Sequence, residues 1–313
     1  MKLRAGENGY AVYRIPGVVM TPLGALVCCE ARADSGSDWG KIDILLLRED
    51  GARFLIAGTG TDTMNNPTLI ADGETTHLIY HKNYARAFHR TSMDFGATWT
   101  EPTEITQAYR EFPYEWNVCA TGPGHGIRLS TGRLVAPVWL ANGRVHESPD
   151  YVVDHHPSVA GCVYSGDGGA TWRAGALFAG IRDANETSCA ELPDKSLLFN
   201  IRHSDEPRAR ALAVSRDGGE TVGPVRFESS LPDPRCFGSM VRAGEDVYFV
   251  NCADSKGRVN LTVKRLDGEK WTPVSRVDDL GGYADIAWDG EKLCVFYEHG
   301  ENGKVLEMRL VRL

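Results

Sequence analysis

The sequence predicts an all-β chain, residues 1–313 forming a single six-bladed β-propeller whose blades are four-stranded antiparallel sheets. Three observations carry this expectation. An octet of the form Ser-x-Asp-x-Gly-x-Thr-Trp runs from Ser92 to Trp99 and again from Ser165 to Trp172, and a third copy, from Ser215 to Val222, lacks only the tryptophan. Short runs of Val, Ile, Leu and aromatic residues, punctuated by Gly, Pro and Asp, fall into triplets along the chain. No useful stretch of helical period and no low-complexity linker interrupts them.

The octet has a physical reading. Its aspartate can accept backbone N–H bonds, and the glycine two residues on takes a positive φ at little cost. The threonine and tryptophan then enter a strand, where the indole buries a large apolar surface. One such turn would indicate only a hairpin; repetition indicates a repeated supersecondary unit. With degenerate copies at Asp50-Gly51 and Asp267-Gly268, the aspartates are Asp50, Asp94, Asp167, Asp217 and Asp267. A spacing of about 50 residues suits a four-stranded blade.

The elements follow in order. The first triplet is 13–20, 25–31 and 42–48, and the turn at Asp50 leads to a fourth strand. The second is 67–71, 76–81 and 85–91, before Asp94. The third is 126–129, 134–140 and 159–165, before Asp167. The fourth is 189–192, 196–201 and 209–215, before Asp217, and the fifth is 238–242, 246–251 and 259–265, before Asp267. The sixth, 283–288, 292–297 and 305–310, has no turn after it, so residues 1–8 are expected to supply its outer strand and close the ring. The irregular segments 100–121 and 141–157 are expected to form walls over a site.

Composition narrows the function classes. A hydrophobic content of 42% over 313 residues is ample for a large core, and 34 glycines with 15 prolines fit a turn-rich β protein. The net charge of −8 argues against nucleic acid or an acidic membrane as partner, while leaving room for a small anion in a local positive pocket. No apolar stretch approaches the roughly 18 residues needed to span a membrane. The first residues lack a signal-peptide apolar region, so a cytoplasmic protein is expected, or a secreted one whose signal has been removed. The eight cysteines include no Cys-x-x-Cys pair and read as buried free thiols. The histidines lack zinc-type spacing, and His155-His156 reads as a loop or structural pair. No metal and no cofactor are expected. The pattern sets no oligomeric state.

Strand phase then places the unusual polar residues. In an antiparallel blade the start of strand one, the end of strand two and the start of strand three share one edge. Arg14, Asp38, Glu186, Arg202, Arg258, Tyr283 and Glu298 all fall on that edge, opposite the repeated turns. Three arginines from three blades repel one another unless they hold an anion, and a carboxylate accepts bidentate guanidinium bonds. Any one of these residues alone reads blandly: a rim salt bridge, a cross-strand tyrosine or a turn-forming aspartate.

Tyr13-Arg14-Ile15-Pro16 followed by Asp-box turns resembles the sialidase (neuraminidase) superfamily. The resemblance extends through Glu30-Ala-Arg32, Ser37-Asp38-Trp-Gly40, Asn66-Pro67, Gly122-Pro-Gly-His-Gly126, Asn185-Glu186, Asn200-Ile-Arg202, Arg258-Val-Asn-Leu-Thr262, Gly282-Tyr-Ala-Asp285 and Tyr297-Glu298, all in the family's order. It implies a retaining exo-α-sialidase acting on a sialylated oligosaccharide or glycoconjugate through a tyrosyl-enzyme intermediate. Arg14, Arg202 and Arg258 would hold the sugar carboxylate, with Glu298 orienting Arg14. Asp38 would be the acid/base, and Tyr283 with Glu186 the nucleophile pair. Arg32 would contact the ring near O4, and Asn66, with Met64, would lie near the 4-hydroxyl and N-acyl groups. Ala284 stands where the family usually has serine. His125 reads as part of the Gly-Pro-Gly-His turn, and Tyr114 and Trp116 either line the glycerol or aglycone side or are buried in their loop. Two other readings stay open: a hydrolase of another 2-keto-3-deoxy sugar acid or an enzyme releasing an anhydro product, and a non-catalytic sugar-binding propeller.

Overall fold

A computed structural model of the chain describes residues 1–58, 60–146, 152–301 and 304–313. It is a six-bladed β-propeller of antiparallel blades. Blade one runs Val12–Thr21, Gly24–Arg32, Ile42–Arg48 and Arg53–Ala57 from the axis outward. Blade two is Met64–Asp72, Thr75–Lys82, Arg86–Ser92 and Thr103–Glu104. Blade four is Thr187–Glu191, Leu197–Ile201, Ala209–Ser215 and Arg226–Pro232, and blade five is Ser239–Ala243, Asp246–Cys252, Leu261–Asp267 and Lys270–Asp278. Blade six is Gly281–Trp288, Leu293–Glu301 and Lys304–Arg312, and its outer strand is Lys2–Arg4. The first residues thus close the ring as expected, pairing Lys2 with Arg309 and Leu3 with Met308.

Blade three departs from the expected strands. Its innermost strand is Val118–Thr121, which pairs with Leu134–Ala141; Ser158–Ser165 and Arg173–Leu177 complete the blade. The run expected at 126–129 is divided. Gly124–His125 pairs in parallel with blade two, Gly124 opposite Thr68, whereas Ile127–Arg128 pairs with the start of Leu134–Ala141. The division falls at Gly126, whose N–H still bonds Leu69 of blade two and where a Cβ would stand 2.6 Å from the Val135 carbonyl of blade three. The segment 100–121 is correspondingly less irregular than expected. It holds Thr103–Glu104, a five-residue helix at Thr106–Arg110 and that innermost strand. In the second loop, Val145–His146 pairs with Val152–Val153; residues 147–151 lie outside the described ones.

Burial holds the ring together. The described apolar core divides into six clusters, each at a seam between neighbouring blades. Leu26 and Leu46 of blade one meet Leu69 and Leu78 of blade two, for example. All eight cysteines are free and buried among these strands.

The repeated octets lie between the third and fourth strands of blades two, three and four. In blade three, Ser165 Oγ donates to Asp167 Oδ1 at 2.8 Å and accepts the Gly169 N–H at 2.8 Å. Asp167 in turn accepts the Thr171 N–H at 2.9 Å and its hydroxyl at 2.6 Å. Gly169 has φ 89°, and a Cβ there would stand 2.7 Å from the His89 ring of blade two. Trp172 packs edge-on to the same ring at 5.4 Å. The turn therefore closes its own blade and presses on the preceding one.

Blade two carries buried histidines at this seam. His77 and His89 stack, with Nδ1 and Nε2 3.0 Å apart. His81 lies edge-on to Tyr109, and neither of its ring nitrogens has a partner among the described residues. Burial pushes His81 down to about 3, and burial with the neighbouring His77 pushes His89 down to about 4. Both are neutral in the fold at neutral pH, whereas the unfolded chain takes up protons near pH 6.5. Their contribution is fully present above that pH and is lost as pH falls from about 6.5 towards the folded values. At pH 5, His81 alone is expected to remove about 2 kcal/mol of stability. Chemical denaturation at pH 7 and pH 5 should show this loss, and His81→Phe should show about 2 kcal/mol less of it.

Candidate active site

Three innermost strands break their pairing at one rim of the ring. Register jumps from Arg14 to Gly17 in blade one, from Asn65 to Thr68 in blade two, and from Gly281 to Ala284 in blade six. The sequence explains two breaks through Ile15-Pro16 and Asn66-Pro67, because proline within a sheet is confined to bulges and edges. The third is Gly282-Tyr283; a Cβ on Gly282 would stand 2.9 Å from Glu298 Oε2. Ile15 has φ 62° and Asn66 φ 49°. A β-branched residue in this region is strained. Bulges of this kind bend the strand and re-aim side chains.

The Glu298 carboxylate holds two of the breaks. It is 1% exposed. Oε1 accepts from Arg14 Nε at 3.1 Å and from the Ile15 N–H at 3.1 Å, while Oε2 accepts from the Tyr283 N–H at 3.3 Å. Glu298 thus fixes the Arg14 guanidinium and the backbone on both sides of it.

Tyr283 lies among the three arginines. Its ring has the Arg14 and Arg258 guanidinium carbons each 5.1 Å from its centroid. Its hydroxyl accepts from Arg202 NH1 at 2.8 Å, and the same NH1 bonds Glu186 Oε2. Burial raises the phenol well above its ordinary value despite the pull of Arg202, Arg258 and Arg14; Glu186 adds to the rise. The hydroxyl is therefore protonated at neutral pH, with a buried carboxylate beside it. Arg258, unlike the other two arginines, has no hydrogen bond or ion pair with any described residue.

Across this rim, Arg32 is 1% exposed. Its Nε and NH2 donate to Glu30 Oε2 at 2.9 and 2.6 Å, and its NH1 lies 2.8 Å from Asp38 Oδ1. Arg14 NH1 lies 3.7 Å from the same oxygen. Burial alone would raise the Asp38 carboxyl, but Arg32, Arg14 and His155 hold it below its usual value. The guanidinium expected to face the sugar ring is thus also the clamp on Asp38.

Asn66 and Met64 occupy supporting positions. The Asn66 N–H donates to Glu30 Oε1 at 2.8 Å, and its side-chain amide donates to the Thr121 carbonyl at 3.0 Å. Met64 packs in the apolar seam between blades one and two. His125 Nδ1 pairs with Asp285 Oδ1 at 2.8 Å, in keeping with a structural place, and Asp285 Oδ2 accepts the Val18 N–H at 2.7 Å. Tyr114 donates its hydroxyl to the Pro157 carbonyl, and Trp116 donates its indole N–H to the Tyr109 carbonyl, so both brace their loop.

Two groups near the site were given no place beside it by the sequence reading. Arg210 is fully buried; it donates to the Glu186, Asn200 and Cys236 carbonyls and ties the starts of blades four and five together. His155 stands in an aromatic box, with ring centroids 4.7 Å from Tyr84, 5.1 Å from Trp139 and 6.1 Å from Trp39. Trp39, next to Asp38, packs 4.9 Å from Tyr84. Neither group has a local motif, because its partners come from distant strands.

Comparison with known proteins agrees with the fold. The model of the BNR repeat-like domain matches residues 27–295. An exo-alpha-sialidase of Arthroderma benhamiae is 28% identical over 91% of this chain and 77% of its own length. A sialidase of Micromonospora viridifaciens is 31% identical over 88% of this chain, which spans only 47% of that protein. Among solved structures, a Hadza microbial sialidase superposes with a TM-score of 0.78 at 22% identity, covering 100% of this chain and 68% of the other. A leech intramolecular trans-sialidase gives 0.76 at 15%, covering 99% and 69%. At such identities the solved structures establish the shared fold. With the repeats, the ring and the family match in agreement, the chain belongs to the BNR repeat-like domain family, within the sialidase superfamily of glycoside hydrolases.

Proposed function

We propose that the protein is a retaining exo-α-sialidase that removes terminal α-linked sialic acid from oligosaccharides or glycoconjugates through a tyrosyl-enzyme intermediate. The observation that carries the reading is the trio of arginines around Tyr283, one of which, Arg258, has no carboxylate in ion-pair contact among the described residues. An incoming carboxylate supplies that contact. The relatives named sialidase support the same substrate class.

The chemistry follows from charge. The anomeric carbon of a sialoside carries its own carboxylate, so an anionic nucleophile would approach against like charge. Tyr283 is neutral and avoids this repulsion. Sialidases with a tyrosine nucleophile are a recognised departure from the two-carboxylate pattern of glycosidases. The phenol is a poor nucleophile while protonated, and Glu186 is placed to take its proton as attack proceeds. Arg202 bridges both groups and keeps them in register. The triad fixes the sugar carboxylate and with it the anomeric centre.

Asp38 then serves as acid and base. In the free protein Arg32 and Arg14 favour its ionised form, the wrong state for protonating a leaving group. Substrate binding corrects this: the sugar carboxylate brings negative charge to Arg14, which weakens its hold on Asp38 and raises the aspartate's pKa. Asp38 protonates the departing glycosidic oxygen, then activates water to release the sugar from Tyr283. Two displacements give net retention.

Tyr283→Phe should lower turnover of an aryl α-sialoside by about 10³-fold or more while leaving the melting temperature within a few degrees of wild type. Undiminished turnover in this variant would remove Tyr283 from the mechanism. NMR of the first product should show the α-anomer of the free sugar; a β-anomer or an anhydro sugar would rule out the retaining hydrolysis. Asp38→Asn should lower kcat/KM by about 10²- to 10⁴-fold for a sugar-linked sialoside. With an aryl leaving group, which needs little protonation, the loss should be much smaller, and equal losses on both substrates would exclude the acid role.

A further inference from the structure

A polar cavity of about 550 Å³ opens beside the loop that carries Asp38. Its walls are that loop of blade one, the approach to blade two at residues 61–63 with Asn83, and Val152 of the blade-three loop. Arg32, which bonds Asp38, is part of the wall, and so are Ser37 and Trp39, the residues on either side of Asp38. The Asp38 side chain itself is 45% exposed. Tyr283, Glu186, Arg14, Arg202 and Arg258 are not among the described lining residues.

Hydrogen bonds fix these walls. Arg32 NH1 donates to the Gly36 carbonyl at 2.6 Å. At the end of the loop the Gly40 N–H donates to Thr63 Oγ1 at 3.1 Å, and the Thr63 hydroxyl donates to the Gly40 carbonyl at 2.6 Å. Asn83 Oδ1 accepts the Thr63 N–H at 2.8 Å, and Lys82 Nζ holds Asp62 at 2.8 Å. A ligand therefore meets a cavity already formed, of a size within the roughly 300–1,000 Å³ usual for small-molecule sites.

The lining sets the chemistry. Ser35, Ser37, Thr61 and Asn83, all exposed, bring hydroxyls and an amide, and Trp39 brings a half-buried indole. The ionic groups cancel, Arg32 and Lys41 against Asp34 and Asp62. Such a surface suits a neutral polyhydroxylated ring, whose hydroxyls bond the polar side chains while its C–H face packs on an aromatic one. Reaction geometry supplies the direction. A nucleophile on one face of the anomeric carbon expels the leaving oxygen from the other. With Tyr283 as nucleophile and Asp38 as acid, the leaving group lies on the Asp38 side, where this cavity opens.

We propose that the cavity is the leaving-group subsite: it receives the neutral hexose to which the sialic acid is linked. The assignment rests on the sialidase reading of the site. It makes the protein selective for the sugar beyond the scissile bond, a part of the substrate that the arginine trio does not grip.

The test compares sialyllactose, which carries such a hexose, with methyl α-sialoside, which has an alkoxide leaving group and nothing to fill the cavity. Thr61→Trp fills the cavity from the blade-two wall and Lys41→Trp from the blade-one wall. Both positions are exposed, so the melting temperature should hold in each variant. Each should raise KM for sialyllactose and lower kcat/KM about 10-fold or more, with kcat nearly unchanged and methyl sialoside within about two-fold of wild type. Losses of the same factor on both substrates, or no loss on sialyllactose in either variant, overturn the proposal. A third substrate, 4-O-acetylated methyl α-sialoside, tests the cavity against another part of the sialic acid. A loss confined to it would place the C4 substituent in the cavity and overturn the proposal as well. Wild-type hydrolysis is the separate check on the sialidase reading. Its absence on every substrate sinks that reading and the subsite with it, whereas hydrolysis with equal variant effects sinks the subsite alone.

Discussion

The site depends first on one buried carboxylate. Glu298 stands on the last blade and accepts hydrogen bonds from Arg14 and the Ile15 N–H on the first, and from the Tyr283 N–H on its own. It therefore acts where the ring closes and where two strand ladders have been interrupted. A backbone N–H released by a bulge needs a new acceptor if it is buried. Glu298 supplies that acceptor twice and neutralises a guanidinium as well. Removing one partner of such a buried pair costs roughly 3–5 kcal/mol, because the remaining charge is left without compensation. That energy is comparable to the strain of a β-branched residue at φ 62° and explains why the Arg14-Ile15-Pro16 conformation persists.

Around that anchor the site is charged but incomplete. Glu298 answers Arg14, Glu186 answers Arg202, and Glu30 with Asp38 answers Arg32. Arg258 lies over the face of Tyr283 and feels Glu298 at longer range, with no hydrogen bond or ion pair to a described residue. The four guanidiniums and four carboxylates balance in number, so what favours an incoming anion is position: Arg258 stands without a carboxylate in contact. For the acid role proposed for Asp38, whose ionised form Arg32 and Arg14 favour in the free protein, a ligand's own charge would be what changes the stable form. Ground-state electrostatics and proton inventory are thus linked through Arg14, which touches Glu298, Tyr283 and Asp38.

The sequence made much of this legible, and for identifiable reasons. Repeated turns set strand phase, and strand phase put Arg14, Arg202, Arg258, Glu186, Tyr283 and Glu298 on one rim, where the structure brings them together. The closing strand was legible because the sixth triplet lacked a turn and a fourth strand after it. Blade three was not, because its innermost strand is only four residues long, while the run that follows is shared between blades two and three. Asn66, expected near the sugar's 4-hydroxyl and N-acyl groups, has an unforeseen structural commitment. Asn-Pro marks the bulge, yet only the folded chain shows that the Asn66 amide is committed to Thr121. His155 read only as part of a loop or structural pair, since a histidine beside a histidine in a loop has no periodicity and its surroundings come from residues 39, 84 and 139.

The propeller resolves a mechanical problem that this chemistry creates. Arg14, Arg202 and Arg258 repel one another, and each belongs to a different blade. Were they on one flexible loop, repulsion would disperse them in the free protein and binding would have to reassemble them. Here separation requires one blade to slide against the next, which opens an apolar seam such as that of Val250, Cys252, Ala284 and Ile286. Burial is worth about 25 cal/mol per Å² of apolar surface, so even a modest opening costs several kcal/mol. The repeated turns at the opposite edge stiffen the same seams, as Trp172 and Gly169 do against His89. They contribute nothing to the reaction directly. Their effect is to make the positions of the rim residues a property of the closed ring, so that the convergent charge is held ready before any ligand arrives.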